Sequence, residues 1–95
     1  MEDKESYIKK FEAQIDELQA DLDKLDAKAR QSEADLKINY QNEIDNLKQK
    51  RTQARQKLDE IKKSSGNAWT ELKNGADTAF EEMRNSWKAA MEKFK

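Results

Sequence analysis

The sequence predicts an all-α protein: a long antiparallel coiled-coil helix followed by a shorter amphipathic helix folded back on it, with three-helix-bundle-like ends. Three observations point there. The 95 residues include no Pro and two Gly, and Ala, Glu, Lys, Gln, Leu and Arg dominate, so nearly every local preference is helical. Charged residues make up 41% against 35% hydrophobic ones, too polar a mixture for a thick globular core, so the apolar residues have to work as narrow stripes. Those stripes recur at steps of three and four, a regularity that disordered chains of similar polarity lack. One helical domain over residues 1–95 follows.

The first stripe runs Ile8, Phe11, Ile15, Leu18, Leu22, Leu25 and Ala29, with Ser32 and Leu36 next, as a coiled-coil seam requires. It continues through Tyr40, Ile44 and Leu47 after a stutter, then through Arg51, Ala54, Leu58 and Ile61. No helix breaker accompanies the shift. The pattern predicts one helix over residues 3–64, about 90 Å long at the usual rise per residue. The alternative is a hairpin turning between Ala29 and Leu36, where the seam is weakest. That stretch, ARQSEADL, holds no Gly, Pro or Asn to close a tight corner. Acid-to-base pairs four apart, Glu5 with Lys9, Asp26 with Arg30, Glu33 with Lys37 and Asp59 with Lys63, add a few tenths of a kcal/mol each to an unbroken helix.

Residues 64–67 read as a corner. Lys62 and Lys63 complement the negative helix end, Gly66 suits a left-handed C′ position, and Asn67 suits an N-cap. Beyond it Trp69, Leu72, Ala76, Phe80, Met83, Trp87, Met91 and Phe94 repeat by threes and fours, predicting a bulkier amphipathic helix over 68–94. Gly75 weakens that helix by about 1 kcal/mol relative to Ala, but the stripe keeps its phase across it.

Charge matters by location, since the whole chain carries −1. Residues 1–26 hold nine acids against four bases, and residues 48–63 hold seven bases against two acids. The blocks attract if the two halves of the long segment run antiparallel, and repel their own kind in a parallel, in-register dimer. The seam then pairs Ile8 with Leu58, Phe11 with Ala54, Leu18 with Leu47, Leu22 with Ile44 and Leu25 with Tyr40. It also sets Arg51 by Ile15, within reach of Glu12 and Asp16. Two architectures satisfy these pairings: a monomeric three-helix bundle turning near residue 32, and a domain-swapped antiparallel homodimer of unbroken helices. The missing breaker favours the dimer.

With neither His nor Cys, the common general base, soft metal ligands and assisted nucleophiles are absent, and no Gly-rich phosphate loop occurs. Glu12 with Asp16, and Glu17 with Asp21, sit one turn apart, a spacing usual for solvated helix faces. No catalytic residue, metal site or cofactor is expected. The basic run KQKRTQARQK at 48–57 lies inside the heptad stripe and is followed by Asp59 and Glu60, unlike a DNA-binding basic region, so nucleic acid is disfavoured as a partner. The face formed by Trp69, Leu72, Phe80, Met83, Trp87, Met91 and Phe94, bordered by Lys73, Lys88 and Lys93, suits a protein partner or a membrane surface if it is not core. There is neither an apolar stretch of spanning length nor a signal-peptide pattern, so the expected compartment is the cytoplasm.

The segment AWTELKNGADTAFEEMRNSWKAAMEKF, after a charged heptad region and a Ser-Gly corner, resembles a family of small bacterial coiled-coil stress-response proteins with a Trp-x-x-Leu-Lys-x-Gly tail. Trp69, Leu72, Lys73 and Gly75 carry the match. Phe80 and Met83 stand where that pattern leads one to expect Trp and Leu. The resemblance implies a non-enzymatic, stress-related bacterial protein and supplies no active site. The expected function is that of a non-catalytic coiled-coil structural or interaction protein; the alternative is peripheral membrane or lipid-stress binding through the last helix.

Overall fold

A computed structural model, describing residues 3–95, contains three α-helices: α1 (Lys4–Arg30), α2 (Ala34–Lys63) and α3 (Trp69–Lys93). The all-α, three-helix arrangement agrees with the sequence. Asp3 caps α1 in an extended conformation, its carboxylate accepting the Ser6 N–H at 2.7 Å.

The unbroken helix over 3–64 is corrected, because the chain turns at residues 31–33. The Ser32 hydroxyl donates to the Lys28 carbonyl at 2.7 Å, and the Gln31 and Ser32 N–H groups donate to Lys28 and Ala29, each at 3.2 Å. These bonds tighten the last turn of α1 and occupy its free carbonyls. Glu33 is extended (φ −67°, ψ 161°), and α2 starts at the next residue. Every φ in this turn is negative, so it needs no glycine and carries no breaker in its sequence.

Magnitudes explain why the chain folds back. Straightening the turn would add about three or four backbone hydrogen bonds, each of net value about 0.5–1.5 kcal/mol. A lone straight chain would expose the α1 stripe of Tyr7, Phe11, Ile15, Leu18, Leu22, Leu25 and Ala29, and the α2 stripe of Tyr40, Ile44, Leu47, Ala54, Leu58 and Ile61. Each large side chain among them is stabilised by about 1.5–3 kcal/mol on burial. Burial wins.

At the second corner Ser64 ends α2 in an extended conformation, and its hydroxyl donates to the Ile61 carbonyl at 2.6 Å. Lys4 reaches across from α1 to the Ser64 carbonyl at 2.6 Å, placing a cation at the negative end of α2. Gly66 is left-handed (φ 57°), as its sequence context suggested, but it lies one residue beyond C′. The expected Asn67 side-chain cap is not formed. Ala68 precedes α3 in a helical conformation, and the N–H groups of Ala68, Thr70 and Glu71 each bond three residues back at 3.1 Å. That tight first turn uses the Asn67 carbonyl instead, which also accepts the Thr70 hydroxyl at 2.7 Å. From there α3 runs through Gly75 without a break.

The three helices form a rod of 52 × 19 × 17 Å, α2 running antiparallel to both others. The backbones of α2 and α3 approach closely, helped by the fully buried Ala54, Ala76 and Ala90. Between α1 and α3 the backbones stay further apart and large rings bridge the gap. Phe11 lies 4.1 Å from Phe80, and Tyr7 lies 5.5 Å from Trp69, between ring centroids. One continuous core results, and among the described residues no polar or charged side chain is buried in it.

Candidate interaction surface

Each helix contributes a core face and a charged outer face, so the surface is what the core leaves over. On α3 the core takes Trp69, Phe80, Met83 and Phe94, with Phe80 and Met83 wholly enclosed. Leu72, Trp87 and Met91 are half-buried and pack against its margin. The bulky face read from the sequence is therefore mostly interior. Phe94 stacks on Tyr40 at 4.0 Å, closing the C-terminal end of α3 onto α2.

The seam residues Phe11, Ile15, Leu18, Leu22, Leu25, Tyr40, Ile44, Leu47, Leu58 and Ile61 are all buried. Ile8 is half-buried, because Tyr7 takes the core position beside Phe11 and Trp69. Tyr7 was missed; its signal is the step of four to Phe11 and of four again to Ile15. Leu36, expected in the oligomer seam, is not covered within this single chain. It is 45% exposed, because it stands next to the turn and beyond the end of α3. Ile38, at 60% exposure, lies on the same end, and no periodicity pointed to it.

Polar groups fix the register between helices. Lys62 pairs with Glu12 at 2.7 Å across α1 and α2, and Lys93 with Glu43 at 3.2 Å across α2 and α3. Lys50 lies 3.8 Å from Glu82. Along α1 and α3 the Tyr7 hydroxyl donates to Asp77 at 2.6 Å, Arg84 donates to Gln14 at 2.9 Å, and the Trp87 indole N–H donates to Asp21 at 2.8 Å. The acidic α1 and basic α2 thus meet antiparallel, within one chain. Arg51 donates to the Gln19 side chain, not to Glu12 or Asp16 as expected, since Lys62 already holds Glu12.

The grooves are shallow. One between α1 and α2 is lined by Glu12, Asp16, Arg55, Asp59 and Lys62 over Ile15 and Leu58. Its acids and bases face one another. A second runs along α3 beside Arg84, Trp87, Lys88 and Met91, and a third lies at the first turn of α2 around Leu36. Among the described residues no group of three or more acidic side chains is arranged to hold a metal ion, and no helix is long and apolar enough to cross a membrane. No family model, curated protein or solved structure matches this chain.

Proposed function

We propose that the chain is a non-catalytic, stress-related helical interaction protein of the cytoplasm whose first partner is a second copy of itself. The observation that supports this reading is the distribution of apolar surface. Trp69, Phe80 and Phe94 are held in the core, and the large hydrophobic residues left open among the described ones, Leu36 and Ile38, gather at one end of the rod. The charge blocks make the chain self-complementary in the antiparallel sense. Light scattering coupled to size exclusion tests it. The mass should rise from 11.1 kDa toward twice that value with concentration, and a constant 11.1 kDa would overturn self-association.

A second reading draws on the half-buried Leu72, Trp87 and Met91 at the rim of α3, near Lys73 and Lys88. If α3 swings out, this rim and the rings behind it would enter a lipid interface. Co-sedimentation with anionic vesicles, with a blue shift of Trp fluorescence, supports that reading; neither change refutes it.

A further inference from the structure

We propose that residues 31–33 are an exchange hinge: the connector straightens, α1 and α2 join into one helix, and α1 packs on the α2 and α3 of a second copy. This rests on the reading that the chain self-associates.

Four observations converge. Leu36 occupies a seam position in step with Ala29 and Tyr40, yet it is 45% exposed in the closed chain. In an antiparallel pair of straightened helices it would lie over Ala29 and Ser32 of the other copy and be covered. Second, α3 closes on Tyr40 through Phe94 and leaves residues 33–39 open, so none of the described residues covers this segment. Third, Gln31 (φ −94°, ψ −2°) is already near helical geometry, while Glu33 differs from it mainly in ψ. No residue of the connector is Gly or Pro, and none has positive φ. Fourth, the contacts of α1 with α2 and α3 can be remade between copies. These include Lys62 with Glu12, Phe11 with Phe80, and Trp87 with Asp21. The exchange gains backbone hydrogen bonds across the connector and cover for Leu36, against the entropy of association, so concentration sets the balance.

Ala34 supplies the test. As the first residue of α2, preceded by an extended Glu33, it is a position where Pro fits the closed chain. In a straight helix the same Pro would remove a backbone hydrogen bond and clash with the carbonyl of Arg30. The wild type and Ala34→Pro are each refolded from denaturant at high concentration, and their masses are measured by light scattering. The wild type is expected to contain dimer. Ala34→Pro should keep its helical circular dichroism but stay at the chain mass, its dimer dissociation constant raised at least about a hundredfold. Ser32→Ala, which places a better helix former in the connector, should raise the dimer fraction. If Ala34→Pro dimerises like the wild type, or Ser32→Ala lowers the dimer fraction, the hinge is refuted while self-association stands. A wild type that stays at the chain mass overturns both.

Discussion

Phe80→Ala probes the central packing decision, the use of the α3 rings as core. Phe80 is fully enclosed, and its ring sits 4.1 Å from that of Phe11 at an interplanar angle of 31°. Removing the ring withdraws roughly 150 Å² or more of buried apolar area, about 4 kcal/mol at 25 cal/mol per Å². Residual burial in the unfolded chain lowers that figure by roughly 10–40%, while the cavity left beside Phe11 raises it. A loss of about 3–5 kcal/mol follows, a large part of the roughly 5–15 kcal/mol a small domain possesses. In urea the midpoint should fall with little change in slope, followed in parallel by circular dichroism and Trp fluorescence. On heating, Tm should drop by at least about 12 °C. A loss below about 1 kcal/mol would mean that the ring is not enclosed and that α3 does not lie against α1 and α2 as described.

The two glycines should respond oppositely. Gly75 is helical with open space where a Cβ would stand, so Gly75→Ala should stabilise by about 1 kcal/mol in denaturant unfolding. Gly66 also has space, but its φ of 57° disfavours any side chain, so Gly66→Ala should destabilise by about 1 kcal/mol. Hydrogen bonds from Ser6, the backbone N–H first and then the side chain, hold the Asp3 carboxyl below its ordinary 3.8, with a lesser pull from Lys9. A carboxyl lowered on folding stabilises α1 above that ordinary value, and the contribution is lost as pH falls through the lowered one. An NMR titration of Asp3 should therefore show a midpoint below 3.8, and one at or above it would contradict the cap.

Most of the helical content and core was legible because burial follows periodicity. The stripe from Phe11 to Leu25, and that of α3, mark interior residues whichever chain supplies their neighbours. The partner of Arg51 was misread because a stripe records phase, not what stands opposite, and for the same reason Leu36 keeps the phase of the seam while standing uncovered within one chain. The turn at 31–33 was hidden for another reason. Gln, Ser and Glu reverse the chain with negative φ throughout, so composition cannot distinguish that turn from helix. Asn67 misled likewise, since a tight first turn supplied by backbone carbonyls replaced the side-chain cap. The end patch of Leu36 and Ile38 became visible only once α3 was seen to stop at Tyr40.

A single spin label tests self-association and its geometry together. The chain has no Cys, so Glu17→Cys, on the open face of α1, introduces one label per molecule. A closed monomer has no second label to couple with. In the exchanged antiparallel dimer the two labels lie on opposite sides of the hinge, about 31 residues apart along the rod, or about 45 Å at the helical rise. Refolded at high concentration, the labelled protein should show a dipolar distance near about 45 Å. Absence of dipolar coupling, or a distance below about 20 Å from a parallel, in-register pair, would contradict the account.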